Sequence, residues 1–197
     1  MKVAVLGKVD QKGLSFLKEN EFKVIEIENF EIQNLKERLK DVDGILLRTT
    51  RLDKEILQHC DNLKIISRHG VGYDNVDLDF LNEKKIALCI TSTSNAVSVA
   101  EHVLSFFIYL TKKISLSDSL VKEGNFEKRS SLPNFFELYK KKVLIIGFGR
   151  IGKEVAKRCL GFDMEVYVYD PFLDNEIIII NQCIPIEKNQ GLAIADF

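Results

Sequence analysis

The sequence predicts two α/β units in series, each built on a parallel sheet. Three observations carry this expectation. Short aliphatic and β-branched runs recur about every 20 residues through the first half, separated by segments of helical spacing. A second alternation of the same kind begins at Lys141, after a long apolar helix and a polar arm. Between the first two strands of that second alternation stands a glycine-rich turn that opens a helix.

In the first unit, residues 2–7 read as a strand, 11–20 as a short helix and 22–27 as a second strand. Residues 32–39 carry apolar side chains at 32, 35 and 39, one face of a helix. A third strand, 44–47, ends at Arg48-Thr49-Thr50. A helix over 54–60 and a fourth strand over 63–67 follow, then a loop from Arg68 to Asp77. Asp77 has the chemistry of an N-cap for a helix through Leu81, and 86–90 reads as the fifth strand. Strands alternating with helices make an open parallel sheet, here flavodoxin-like in size. Ligands of such sheets sit beyond the carboxyl ends of the strands, which draws attention to Arg48–Thr50 and to His69–Tyr73. Arg48 reads equally as a solvated rim residue or as a bidentate clamp on a carboxylate or phosphate. Gly70 and Gly72 form either a plain tight turn or a nest of amides facing an anion.

Residues 96–112 read as one helix, apolar on nearly all sides, which suits a crossover between domains or a subunit interface. His102 beside Glu101 does not make an acid–base pair, since adjacent helical positions diverge. Residues 113–134 are polar and read as an arm or loop. The expected division is a domain over 1–95 and another over 96–197, the latter comprising the crossover helix 96–112, an arm 113–140 and an α/β half 141–197.

That last segment is the most informative. Val143–Ile146 has the composition of a strand buried on both faces, the chain turns on Gly147, Gly149 and Gly152, a helix runs over 151–160, and a strand over 166–169 ends in Asp170. Strand, glycine turn, helix, strand and acid are the sequential parts of a Rossmann dinucleotide pocket. Gly147 permits the turn, Gly149 lets amides approach a pyrophosphate, and Gly152 lets the helix pack close to its strand. The unpaired amides and dipole of the first helical turn hold the diphosphate. Asp170 suits the ribose hydroxyls of an adenosine, whereas a 2′-phosphate would meet it as a like charge. Residues 171–175 supply no arginine, so NAD is favoured over NADP. A P-loop reading of Gly147–Lys153 fails at Glu154, where that loop needs a magnesium-binding hydroxyl. A pocket for S-adenosylmethionine shares the glycine turn and terminal acid and stays open on these residues alone.

Composition narrows the partners. With a net charge of −1 and a pI near 6.3, nothing favours nucleic acid or an anionic membrane. The longest apolar stretch, 103–110, is far below the roughly 20 residues that span a bilayer. The N-terminus enters a strand directly, which is not the pattern of a secretion signal. Cys60, Cys89, Cys159 and Cys183 are scattered, so buried free thiols in a reducing, cytoplasmic setting are expected, Cys89 within an apolar strand. The histidines lie far apart, and no metal site is expected.

With these residues in place the chain resembles the D-isomer-specific 2-hydroxyacid dehydrogenases, particularly their D-3-phosphoglycerate dehydrogenase branch. The resemblance rests on Arg48-Thr49-Thr50, on the loop from Gly70 to Asp77, on Asn95–His102, and on Gly147–Gly152 with Tyr169-Asp170-Pro171. It implies a substrate domain over 1–95 and a Rossmann NAD-binding domain entered through the 96–112 helix. It also implies a small hydroxy acid as substrate, held by Arg48 and the backbone of Gly70 and Gly72. Val71, Arg150 and Ile151 would join Gly147, Gly149, Gly152 and Asp170 at the cofactor, and the family's dimers form through the nucleotide domain. The sequence departs from the family in one respect. The arginine, carboxylate and histidine that the family uses for catalysis lie beyond the region matched here: no histidine follows His102 and no arginine follows Arg158. No catalytic residue can be assigned. Residues 141–197 suffice for one half of a Rossmann domain, so the expectation is an incomplete domain whose first strand lacks a partner on one side. The resulting expectation is an N-terminal, truncated portion, inactive alone, that forms a homodimer or is complemented by a C-terminal polypeptide. The alternative is a non-catalytic dimerisation module or a decayed copy.

Overall fold

The structure is a computed structural model that describes all 197 residues, which form two compact units, Met1–Ser94 and Asn95–Phe197. The first unit alternates β1 (Lys2–Leu6), α1 (Gln11–Glu19), β2 (Lys23–Ile27), α2 (Ile32–Arg38), β3 (Gly44–Leu47), α3 (Lys54–Leu57), β4 (Ile65–Arg68), α4 (Leu78–Lys84) and β5 (Ala87–Ile90). Its strands pair in parallel in the order β2-β1-β3-β4-β5. Strands are added to one side of β1 and then, from β3 onward, to the other, and open sheets of this type receive ligands at such a switch in strand order. Aliphatic side chains such as Leu6, Leu35, Leu39, Leu47 and Ile66 are fully buried and form the core. Helix entries follow local chemistry: the Asp10, Asp53 and Asp77 carboxylates accept from the Lys12, Ile56 and Phe80 amides. Asp43 ties two strand starts, accepting from the Lys2 amide and pairing with Lys64 Nζ, each at 2.8 Å.

In the second unit α5 (Ala96–Thr111) leads into α6 (Ile114–Lys122) and a 3₁₀ turn over Phe126–Ser131. There follow β6 (Lys142–Ile146), α7 (Arg150–Gly161), β7 (Glu165–Tyr169), α8 (Asn175–Ile180), β8 (Ile184–Pro185) and α9 (Lys188–Ile194). The strands are parallel in the order β6-β7-β8. Phe148, Cys159, Val166, Val168 and Ile178 form its core, with Ala100 and Leu104 of α5 packed into it. No helix is long and apolar enough to cross a membrane.

Four features bear on these expectations, and the arm and Cys89 correct them. The α5 helix, apolar on nearly all sides, buries Ala100 and Leu104 within this unit and leaves Phe106, Tyr109 and Leu110 exposed on the opposite side. The arm is helical rather than a loop. In α6 the apolar residues recur at helical spacing and Lys122 pairs with Asp118 one turn away, but no α6 residue is buried. Cys89 is exposed, because β5 is an edge strand, while Cys60, Cys159 and Cys183 are buried free thiols. Burial pushes the Cys60 and Cys159 thiols up to about 11. As expected, β6 is the edge of its sheet with no strand on its outer side, and the two residues Asp196 and Phe197 cover part of that edge. The Leu144 amide donates to the Phe197 carbonyl at 3.0 Å, the Asp196 and Phe197 amides donate to the Lys142 carbonyl, and the Phe197 ring lies 4.6 Å from that of Phe107.

Candidate functional site

In the second unit the main chain leaves β6 through Gly147, whose φ of +92° is open to glycine and strained for other residues. The Gly147 amide still donates to the Tyr169 carbonyl at 2.8 Å, extending the β6–β7 ladder by one step. Phe148 then turns its ring fully into the core. Gly149 caps α7 in an extended conformation with no side-chain cap, and a Cβ there would meet nothing within 4 Å. The side of the turn that a diphosphate would approach is therefore open, and the amides opening α7 are left to an external acceptor. Gly152 answers to a different constraint: a Cβ would lie 2.2 Å from the Gly147 carbonyl oxygen and 3.3 Å from Ile145 Cγ2. Only glycine lets α7 rest against the turn. Arg150 and Ile151 are exposed on its first turn.

Asp170 ends β7 beside this turn. One carboxylate oxygen accepts from the Phe148 amide at 2.7 Å and the other from the Phe172 amide at 2.9 Å. These two amides, that of Phe148 foremost, hold the carboxyl below the usual carboxylate range. Asp170 also lines a cleft of about 450 Å³ with Tyr169, Pro171, Pro185, Glu187 and Gln190, and no lysine or arginine lines it. A sugar with free hydroxyls suits such a surface, and a sugar phosphate meets two carboxylates. The donor set fits an adenosine diphosphate moiety: open amides for the phosphates, an acceptor for the ribose, and room for a base.

In the first unit Arg48 leaves the carboxyl end of β3, exposed, and donates from Nη1 to the Lys8 carbonyl at 3.2 Å. Gly70 holds a φ of +156°, a conformation other residues rarely adopt. The movable tip of the Arg68 side chain lies over it, Nη1 standing 1.2 Å from where a Cβ would be. That guanidinium donates to the His69 carbonyl at 2.9 Å, and its Nε is buried without a partner. Gly72 is exposed and Val71 half-buried on the same loop. The loops of Arg48 and Gly70 are joined: Asn75 Nδ2 donates to the Thr50 carbonyl at 2.8 Å, and Leu52 bridges to Val76. The sequence reading passed over Arg68 and Asn75. An arginine at a strand end, two residues before a glycine turn, is the signal that would have found the first. His102 stacks edge-on against Phe106, and Glu101 pairs with Arg158 at 3.5 Å, so the two serve α5 rather than each other. No three His, Cys, Asp or Glu side chains converge to hold a metal.

A profile described as D-isomer specific 2-hydroxyacid dehydrogenase, catalytic domain, matches residues 3–179. The chain is 34% identical over 177 residues to D-3-phosphoglycerate dehydrogenase of Archaeoglobus fulgidus, covering 89% of this chain and 33% of that protein. It is 34% identical over 171 residues to hydroxypyruvate reductase of Thermotoga maritima, covering 86% of this chain and 55% of that one. Among solved structures, D-lactate dehydrogenase of Aquifex aeolicus, complexed with NAD and lactic acid, superposes with a TM-score of 0.82 at 26% identity. That match takes in 98% of this chain and 58% of the other. The chain thus spans about a third to just over half of the length of these relatives.

Proposed function

The chain belongs to the D-isomer-specific 2-hydroxyacid dehydrogenase family, and from that membership we propose that it holds the adenosine end of NAD for an oxidoreductase acting on a D-2-hydroxy acid. One observation carries the reading: an open glycine turn, with no room for a side chain at Gly152, ends beside a strand-tip carboxylate in a cleft without cations. Gly147, Gly149, Gly152, Arg150 and Ile151 would face the diphosphate, Asp170 the ribose, and Val71 the cofactor from its own loop. Bound NAD would supply the hydride acceptor. Arg48, with the backbone at Gly70 and Gly72, would hold the anionic end of a substrate such as 3-phosphoglycerate, and Arg68 adds a second guanidinium to that loop.

The family's catalytic arginine, carboxylate and histidine have no counterparts among these 197 residues. Binding without turnover is therefore the expected behaviour of this chain alone. Calorimetric titration with NAD and NADP, beside an assay for NADH production from 3-phosphoglycerate, tests both halves. NAD binding that exceeds NADP binding, with no NADH formed, supports the reading. Equal affinity for the two, or steady turnover, sinks it. A second reading, a dimerisation module, is favoured by the exposed Phe106, Tyr109 and Leu110 on α5. Sedimentation of a monomer at all concentrations would remove it.

A further inference from the structure

Asp170 holds two main-chain groups from different segments, one in the glycine turn and one in the loop after β7. A residue needed only to receive ribose hydroxyls has no reason to hold both. The turn it grips has few other restraints. Gly147 and Gly149 carry no side chains, and glycine is the residue with the most backbone freedom. The segment is held by the Phe148 ring in the core, by α7 resting on it at Gly152 with the Lys153 amide on the Gly149 carbonyl, by the Gly147 amide on the Tyr169 carbonyl, and by the Phe148 amide on Asp170. The last two of these restraints come from the tip of β7, and only the Asp170 bond is made by a side chain outside the turn.

We propose that Asp170 is a positioning residue for the anion cradle as well as a contact for the sugar: its carboxylate fixes the glycine turn in the shape that presents the amides at the head of α7. This rests on the dinucleotide reading above and goes beyond it in one respect. It assigns Asp170 an effect on a ligand that has no ribose at all. Charge alone predicts the opposite, since a carboxylate beside an anion site repels the anion and its removal should tighten binding. The two accounts therefore differ in sign.

The experiment is a titration of the ¹⁵N-labelled full chain with inorganic pyrophosphate, following the amide resonances of Gly149, Arg150 and Ile151. Wild-type protein is expected to shift at these amides and to show slow hydrogen exchange at Phe148 and Phe172. Asp170→Asn leaves one acceptor where two are needed, and Asp170→Glu keeps the charge but displaces the acceptors by a methylene. In both, pyrophosphate affinity is expected to fall by roughly tenfold, the loss of one charge-assisted hydrogen bond, and the Phe148 amide to exchange faster. Unchanged affinity in either variant, or tighter binding in Asp170→Asn, overturns the proposal. So does rapid exchange of the Phe148 amide in the wild type, a result that needs no variant to fold. Protein that binds NAD but not pyrophosphate also overturns it. Protein that binds neither removes the dinucleotide reading itself, and the proposal falls with it.

Discussion

Gly152 carries the tightest steric constraint in the second unit, with backbone 2.2 Å from where a Cβ would stand. Gly152→Ala forces α7 away from the turn, and overpacking of this kind costs about 1–3 kcal/mol. Urea unfolding of the variant measures that loss, and calorimetry is expected to show NAD affinity falling with it. Asp170 gives a pH signature. Its folded pKa is depressed, so its stabilisation is complete above the unfolded value of about 3.9 and is lost as pH falls through the lower folded value. The stability gap between wild type and Asp170→Asn should be constant above about pH 5 and close below about pH 4, as urea midpoints across pH would show. At this scale the sequence is readable where a residue type has one physical use: three glycines and an acid at fixed spacing. It is silent where the use depends on distant partners. Nothing in the order of residues says that Asp170 grips Phe148, or that the Arg68 side chain lies over Gly70.

Between α5 and α7 the close approach depends on small side chains, with Ala100 and Ala156 both buried. Ala100→Leu inserts three carbons into this seam and should cost about 1–3 kcal/mol in urea unfolding. On the other side of α5, Leu110 is 58% exposed. Leu110→Asp should leave stability within about 0.5 kcal/mol, while sedimentation reports a loss of any self-association. Hydrophobic periodicity located α5 to within a residue of its end, yet could not say that one side stays uncovered, because an apolar surface looks the same in sequence whatever meets it. The α6 helix escaped for the converse reason. It buries nothing, so polarity masked a helical spacing supported by local pairs such as Asp118 and Lys122.

Over the whole molecule, each unit has its own apolar cluster, one drawn from residues 4–81 and the other centred on residues 100–183. Leu47 is fully buried in the first, and Leu47→Ala should destabilise that unit by about 2–5 kcal/mol. Hydrogen exchange is expected to show the loss at β1 and β3 amides while Val166 and Val168 keep their protection. Parallel α/β architecture was legible because short aliphatic runs alternate with segments of helical spacing. Burial on both faces was not, since β2, β5 and β6 keep exposed residues, Ile146 among them. The covering of β6 was not, since Asp196 and Phe197 lack the look of a strand and hold that edge through backbone groups and one aromatic contact.

A grip made of peptide N–H groups is written in a part of the chain that every amino acid shares. Arg150 and Ile151 can drift to almost any residue and still offer the same handhold, while a single methyl group at 152 closes it. Such a feature tolerates wide spelling changes around a few fixed letters.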